Sequence, residues 1–463
     1  MPALWHPALA LLSLPALAWG GYLLVLALLS ARNPAPPRST GRLRFDVLVP
    51  AHDEAAGIAR CVASLRALDW PGDRFRVIVI ADNCGDDTAA RARAAGAEVW
   101  ERNDASARGK GHALAYAFAR SRAERYAYAV VVVDADTEAT PNLLEACAAR
   151  IEAGAEAIQA HYGVRDPDGS WRARLMAIAY ALFHTLRSRA RERLGLSCGI
   201  RGNGWCVTHA LLERAPYRAY SITEDIELGN TLGLAGCRVH YAGEAEVRAD
   251  AAVSRAEAAR QRQRWEGGRY ALIRAQAPPL LRAAVARRDR VCLDLALDLL
   301  VLPLSWIALY DLGLLALAAL AARVDPALAP WAWLAAFAAG CVAVYVARGV
   351  ALSGRGLRGV LDLAAAPLFV AWKLATLLRP FDRATWVPTR RRAPGTGSRR
   401  ACRSCACSRA RSPARRCCRR RASPSASCWC AMRAISNTAR TPWCSARSCW
   451  WPRCRTRSSG PRW

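Results

Sequence analysis

Lysine is almost missing from this 463-residue chain: Lys110 and Lys373 are the only two, so arginine supplies nearly all of the 66 basic side chains. Carboxylates are missing altogether from residues 393–463, a stretch of 71 residues that holds 17 arginines and ten of the 18 cysteines. That absence is abnormal for a folded domain, and the stretch has neither helical nor strand periodicity. Its spacing Cys402-x-x-Cys405, then Cys407, Cys417 and Cys418, has no histidine and no flanking hydrophobic pattern, which argues against zinc. The stretch is expected to be disordered, or the product of a frameshift in a GC-rich gene. Setting its 17 arginines aside takes the formal charge from +29 to +12 over residues 1–392, which removes most of the case for a nucleic-acid partner. No G-x-x-x-x-G-K-[ST] run is present and no G-x-G-x-x-G follows the first apolar strand, which excludes a P-loop and a dinucleotide fingerprint.

What is present is apolar: 53% of the chain, against 22% charged, which excludes a disordered or collagen-like polymer. Ala8 to Ser30 is uncharged and long enough to span a bilayer, and no basic segment precedes it to mark a cleaved signal. Arg32, Arg38, Arg42 and Arg44 follow, so the charge rule places residue 32 onward in the cytosol. Two further blocks run from about Leu299 to Ala322 and from Ala327 to Ala347, the latter followed by Arg348, Arg355 and Arg358. A fourth stretch, Val360 to Leu378, carries Asp362, Pro367 and Lys373 and reads as interfacial or re-entrant. The expected organisation is an anchor over 1–31, a cytosolic catalytic domain over 32–268, an interfacial amphipathic segment over 269–290, a membrane region over 291–392 and the tail. The eight cysteines outside the tail sit in apolar surroundings and read as reduced core thiols.

Between the first and second membrane blocks, short apolar strands alternate with helices. Strands are expected at Phe45–Val49, Arg76–Ile80, Glu98–Trp100 and Tyr128–Val133, with helices through Leu68, over Asp87–Ala95 and over Gly111–Arg125. This alternation predicts an α/β fold with a mostly parallel sheet flanked by helices. In such sheets ligands bind beyond the carboxyl ends of the strands, and the acids fall there: His52, Asp53 and Glu54; Asp82 and Asn83; Asp134 and Asp136.

Asp134-Ala135-Asp136 places two carboxylates at the mouth of a buried strand, where a magnesium or manganese ion relieves their repulsion and neutralises a diphosphate. The plain alternative is a strand end with solvated acids. Asp82-Asn83 sits where a base or ribose is read by hydrogen bonds, or forms an Asx turn. Arg108-Gly109-Lys110-Gly111 precedes a helix start, where amides and Lys110 favour phosphate; the alternative is a solvated loop. Thr223-Glu224-Asp225 opens a helix. Thr223 suits an N-cap, and Asp225 suits a general base for an acceptor hydroxyl. Gln261, Arg264 and Trp265 share one helical face, offering an amide, a guanidinium for phosphate and an indole for a sugar ring, unless that face lies on anionic lipid.

Taken in order, V-P-A-H-D-E at 49–54, A-D-N-C-G-D-D-T at 81–88, R-G-K-G at 108–111, D-A-D at 134–136, G-N-G at 202–204, T-E-D at 223–225 and Q-R-Q-R-W at 261–265 resemble a membrane-bound family 2 glycosyltransferase. The likeness is to the processive, cellulose-synthase-like or N-acetylglucosaminyltransferase-like type, and covers about residues 8–392. It implies a GT-A-like fold embedded between transmembrane helices, one N-terminal and two or three C-terminal. It further implies that Asp82, helped by Glu54, contacts the uridine of a UDP-sugar, that Lys110 approaches the nucleotide, and that Asp134 and Asp136 hold the metal–diphosphate. Asp225 is then the catalytic base, Gln261, Arg264 and Trp265 clamp diphosphate and acceptor sugar, and Asn203 with its flanking glycines lines the acceptor side. The implied reaction inverts at the anomeric carbon and builds polysaccharide or glycosylates a lipid-linked acceptor at the inner membrane, with membrane lipids around it and export subunits as possible partners. No cyclic-di-GMP domain is recognisable, and the few spans argue against a self-contained polymer channel. Two competing functions are a non-catalytic scaffold of an export complex and a sugar-1-phosphate nucleotidyltransferase; the latter wants a glycine- and arginine-rich loop after the first strand, where V-P-A-H-D-E stands.

Overall fold

The computed structural model describes residues 5–250, 255–368 and 370–371, and only the backbone over 255–267. The tail 393–463 and the part of the fourth apolar stretch beyond residue 371 lie outside the described residues. Eight strands make one sheet: β1 Phe45–Ala51, β2 Phe75–Asp82, β3 Glu98–Arg102, β4 Ala129–Val132, β5 Glu138–Ala139, β6 Ala157–Val164, β7 Trp205–Thr208 and β8 Val239–Ala249. Their order is β3-β2-β1-β4-β7-β6-β8-β5.

The first four strands are mutually parallel, as the alternating pattern predicts. Their crossovers carry α2 (Ile58–Arg66), α3 (Thr88–Ala94) and α4 (Lys110–Glu124). Beyond β4 the sheet stays mostly parallel, since β6 and β8 pair parallel and run with β4, but it takes in two reversed strands. β7 runs antiparallel to both β4 and β6, and β5 runs antiparallel to β8, so the sheet is mixed. The four residues of β7 are all buried, and a buried strand has the same composition whichever way it runs.

Side chains alternate between two layers, as the pleat requires. Phe45, Val47 and Val49 pack on one face with Ile58, Val62 and Leu65 of α2 and with Leu143 and Leu144 of α5 (Leu143–Glu152). Leu48, Ile78, Ile80, Val130 and Val132 pack on the other with Leu114 and Phe118 of α4, and with Leu228 and Leu232 of α9 (Glu224–Leu234). The strand carboxyl ends therefore emerge between two filled layers.

Among the described residues, three helices are long and apolar enough to cross a membrane: α1 (Trp5–Leu28), α12 (Leu304–Val324) and the segment Pro326–Leu352, which contains α13 (Ala329–Leu352). They pack closely. A Cβ added at Gly20 of α1 would lie 3.1 Å from the Ala338 carbonyl of α13, the close approach that small residues permit. Their outer faces expose Leu11, Leu14, Leu312, Leu320, Trp333 and Phe337. The second apolar block begins later than expected: Leu299 belongs to α11 (Arg290–Leu300), and Pro303 separates that helix from α12.

Between the sheet and these apolar helices lie α6 (Trp171–Tyr180), a π-helical turn (Ala181–Leu186) and α7 (Arg187–Arg193), together with α10 (Arg255–Arg287) and α11. Buried charge ties them. Asp298 of α11 receives Arg187 at 2.9 Å and Arg191 at 2.8 Å, and Arg191 also pairs with Asp294 at 2.8 Å. Tyr22 of α1 donates to Asp294 at 2.9 Å and accepts from Arg191 at 2.6 Å. Seven of the eight cysteines outside the tail are buried and Cys84 is half-buried; none of the eight is in a disulfide.

Candidate active site

At the end of β2, Asp82 is 5% exposed and its carboxylate accepts from Arg102 at 2.5 Å and from Asn83 at 3.1 Å. Arg102 ends β3 and also binds Asp104 at 3.0 Å. The Asn83 side chain accepts from the Asp104 amide at 2.9 Å, so it ties the loop after β2 to the loop after β3. Sequence reasoning missed Arg102, which lies 20 residues downstream with no motif to mark it. His52 Nδ1 lies 2.7 Å from the Asp82 carbonyl, and Glu54, half-buried, donates its amide to Thr88 at 2.8 Å. The ends of β1 and β2 are thus drawn together, as parallel neighbours should be.

Asp53, Cys84 and Asp86 bring ligand atoms within 4.8 Å of one another. Burial pushes the Cys84 thiol above its ordinary value. A protonated thiol is a poor donor for a hard cation, so this group fits magnesium or manganese less well than paired carboxylates do.

The centre of the site is Lys110, the first residue of α4. Its Nζ lies 2.7 Å from Asp134 Oδ1 and 3.6 Å from Glu224 Oε1, and it donates to the Gly202 carbonyl at 2.6 Å. Burial pushes its pKa down, but the charges of Asp134, Glu224 and Asp225 outweigh that and hold the ammonium ionised. Lys110 therefore pairs with Asp134, one of the two aspartates expected to hold a metal, and the expected contact with a nucleotide would be made from that position. Asp225 follows Glu224 on the first turn of α9, and a Cβ added at Gly202 would lie 3.2 Å from its Oδ2. Gly202 has φ +83, so the chain passes Asp225 with no side chain between. Asp225 and Asp134 thus share one cleft.

Three carboxylates around one ammonium leave an excess of negative charge. Burial first, and then the neighbouring Asp225 and Asp134, push Glu224 up to about 7 against the pull of Lys110. Burial likewise raises Asp225, opposed by the Ile226 amide, Lys110 and Arg201. Hard oxygen donors in such excess suit a divalent cation. Thr223, read above as an N-cap, makes no capping bond, and its buried hydroxyl has no hydrogen-bond partner among the described residues.

Asn203 requires a correction. It is fully buried, and both ends of its amide are engaged: Oδ1 accepts from the Asp134 amide at 3.0 Å and Nδ2 donates to Thr137 Oγ1 at 2.7 Å. Thr137 in turn donates to Asp136 at 3.1 Å. The residue lies beneath the aspartate pair and fixes it, and presents no surface to an acceptor. Gln159 of β6 extends this support, donating to the Asn203 carbonyl at 2.7 Å and accepting from the Arg201 amide at 2.8 Å. Asp134 and Asp136 also face two half-buried phenols, Tyr162 and Tyr180, whose ring centroids are 5.1 Å apart. Sequence reasoning did not reach this pair. Gln261, Arg264 and Trp265 fall within α10, and their side chains lie outside the described residues.

The family model described as "Glycosyltransferase like family 2" matches residues 43–268. No curated protein matches the chain. Among solved structures, the chain is similar to the mannosyltransferase PcManGT from Pyrobaculum calidifontis in complex with GDP-Man and Mn2+. Identity is 19% and the TM-score 0.44, over 72% of this chain and 98% of that one. It is also similar to glucosyl-3-phosphoglycerate synthase from Mycobacterium tuberculosis in complex with Mn2+, UDP and phosphoglyceric acid, at 24% identity and a TM-score of 0.32, over 48% and 75%. Staphylococcus aureus TarS follows at 17% identity and 0.36, over 52% and 40%. The family match falls on the residues that supply the acidic strand ends, Lys110 and the Glu224–Asp225 turn; residues 43–268 are a family 2-like glycosyltransferase domain, and the protein that carries it is a glycosyltransferase.

Proposed function

We propose that the protein moves a sugar from a UDP-sugar to a hydroxyl of a polysaccharide or lipid-linked acceptor, with inversion, at the cytosolic face of the plasma membrane. The observation that carries this reading is the shared cleft: Lys110 bonds Asp134 at 2.7 Å and the Gly202 carbonyl at 2.6 Å, while Gly202 itself faces Asp225. The three apolar helices and the arginines after α1 support the membrane placement.

Asp225 takes the proton of the acceptor hydroxyl. The oxygen so freed attacks the anomeric carbon as its bond to the diphosphate breaks, and UDP leaves with the electron pair. The raised pKa of Asp225 suits a base that works near neutral pH. Asp134 and Asp136 would hold a divalent cation, magnesium or manganese, which would neutralise diphosphate charge when bound. Lys110 pairs with Asp134 and adds a fixed positive charge beside the leaving group. Asp82, set by Arg102, and Glu54 read the uridine side, and Arg264, Gln261 and Trp265 are assigned to the diphosphate and acceptor.

A donor screen in membrane vesicles, covering UDP- and GDP-linked sugars, tests the reading. Release of UDP with label passing into a lipid or polymer fraction is expected. Release of pyrophosphate, or no turnover of any nucleotide sugar, overturns it.

A further inference from the structure

We infer that the enzyme binds a phosphate group of its acceptor in a buried subsite on the membrane side of Asp225, formed by the Arg201 guanidinium and the His184 imidazole. The inference rests on the glycosyl-transfer reading above and specifies the acceptor of that reaction.

Arg201 is 6% exposed, and it is poorly paired. Its nearest carboxylate, Asp298, is already held by Arg187 at 2.9 Å and Arg191 at 2.8 Å, and stands 3.6 Å from Arg201 Nη1. Arg201 Nε and Nη2 have no hydrogen-bond partner among the described residues. Nor has Nδ1 of His184, which is 7% exposed. Buried donors left idle are costly, and a guanidinium is the more so because it keeps its charge. An oxyanion that accepts from two guanidinium nitrogens relieves the cost. Burial and the adjacent Arg201 charge hold His184 neutral, so it can donate a hydrogen bond without adding charge.

The placement points to the acceptor. Arg201 precedes Gly202, which faces Asp225, and the Arg201 charge is felt at Asp225. The guanidinium lies over the Phe183 ring at 4.2 Å. Phe183 and His184 belong to the π-helical turn, an element often found at functional sites. Tyr180 and Tyr162 stand 4.6 and 5.1 Å from the His184 ring, which links this turn to the Asp134–Asp136 pair. On its other side the turn rests on spanning helix α13: Tyr345 donates to the Leu182 carbonyl at 3.1 Å and accepts from Arg187 at 2.9 Å. The diphosphate of the donor belongs with Asp134, Asp136 and Lys110, so the phosphate at Arg201 arrives from the bilayer side.

The test uses the full chain in maltoside micelles, loaded with UDP and Mn2+ so that the donor side is filled. Dodecyl phosphate and inorganic phosphate are the probes, and binding is followed by calorimetry. Dodecyl phosphate is expected to bind about tenfold more tightly than inorganic phosphate, because the tail lies along the apolar helices. Arg201→Gln is expected to weaken dodecyl phosphate by about tenfold or more and His184→Gln by about threefold, with UDP affinity unchanged. Circular dichroism and a single gel-filtration peak report that each variant is folded. If Arg201→Gln does not fold, Arg201→Lys and His184→Gln decide: wild-type affinity for dodecyl phosphate in both overturns the subsite. Equal affinity for the two probes overturns the lipid-borne source, and a parallel loss of UDP affinity in Arg201→Gln assigns the anion to the donor instead. A wild-type protein that binds UDP but not dodecyl phosphate refutes the subsite alone. One that binds no UDP removes the glycosyl-transfer reading beneath it.

Discussion

Two clusters of charge meet at the peptide between Arg201 and Gly202, and they are built with opposite signs in excess. In the cleft, Asp134, Glu224 and Asp225 share the single ammonium of Lys110. Beneath it, Arg187, Arg191 and Arg201 crowd the single carboxylate of Asp298. In the first, burial raises Glu224 and Asp225. The second drives Asp298 well below the usual carboxylate range, because the arginines outweigh the burial that would raise it. The lesson is that neither cluster is a set of matched pairs. The upper one is poised for chemistry, and the lower one locks α7 to α11 and, through Asp294 and Tyr22, to α1.

The largest effect that would break this comparison lies in the cleft. Asp225→Asn is expected to reduce transfer by about 10²–10⁴-fold while UDP affinity is kept; radiolabel transfer and UDP binding on the same preparation check it, and substantial turnover removes Asp225 as base. Next is the lower cluster. Asp298→Ala leaves buried arginines uncompensated and is expected to destabilise the protein by about 3–5 kcal/mol, read as a fall in thermal midpoint. For the same residue, a folded pKa held low means its stabilisation is present above the ordinary aspartate range and is lost only as pH falls through the depressed value.

A change at Lys110 sharpens the contrast. Its charge holds Asp225 down, so Lys110→Met should raise the Asp225 pKa further. The base is active when deprotonated, so the acidic limb of the pH–rate profile moves to higher pH and turnover falls at neutral pH. An unmoved limb would separate Lys110 from the base. Asn203→Ala strands the Asp134 amide and the Thr137 hydroxyl and should cost about 1–3 kcal/mol of stability, together with weaker metal-dependent donor binding. The smallest change is Thr223→Val. Because the hydroxyl caps nothing, stability should stay within about 0.5 kcal/mol, whereas a true N-cap would lose about 1 kcal/mol.

Much of the parallel half was legible. Runs such as Val130–Val133 are short, apolar and β-branched, and they end in acids, so both strand and site could be read locally. The other half was not, because a buried strand such as β7 does not encode its direction. The lower charge cluster was invisible for a related reason: Arg191 and Asp294 lie on separate helices a hundred residues apart, and each alone reads as a solvated side chain. G-N-G at 202–204 was placed on the acceptor side by the family resemblance alone, and no local signal marks its asparagine as buried. In fact the asparagine replaces water as the partner of a backbone amide and a hydroxyl.

Gly349 carries a mechanical consequence. It lies on α13 where the helix passes the π-helical turn, and a methyl group there would collide with Leu182. The apolar helix and the domain therefore touch with nothing in between; on the membrane placement proposed above, this contact would set how far a lipid-borne hydroxyl must rise to reach Asp225. Lengthening this contact by one carbon would lift the turn, shortening the reach of any tethered recipient while leaving soluble recipients untouched.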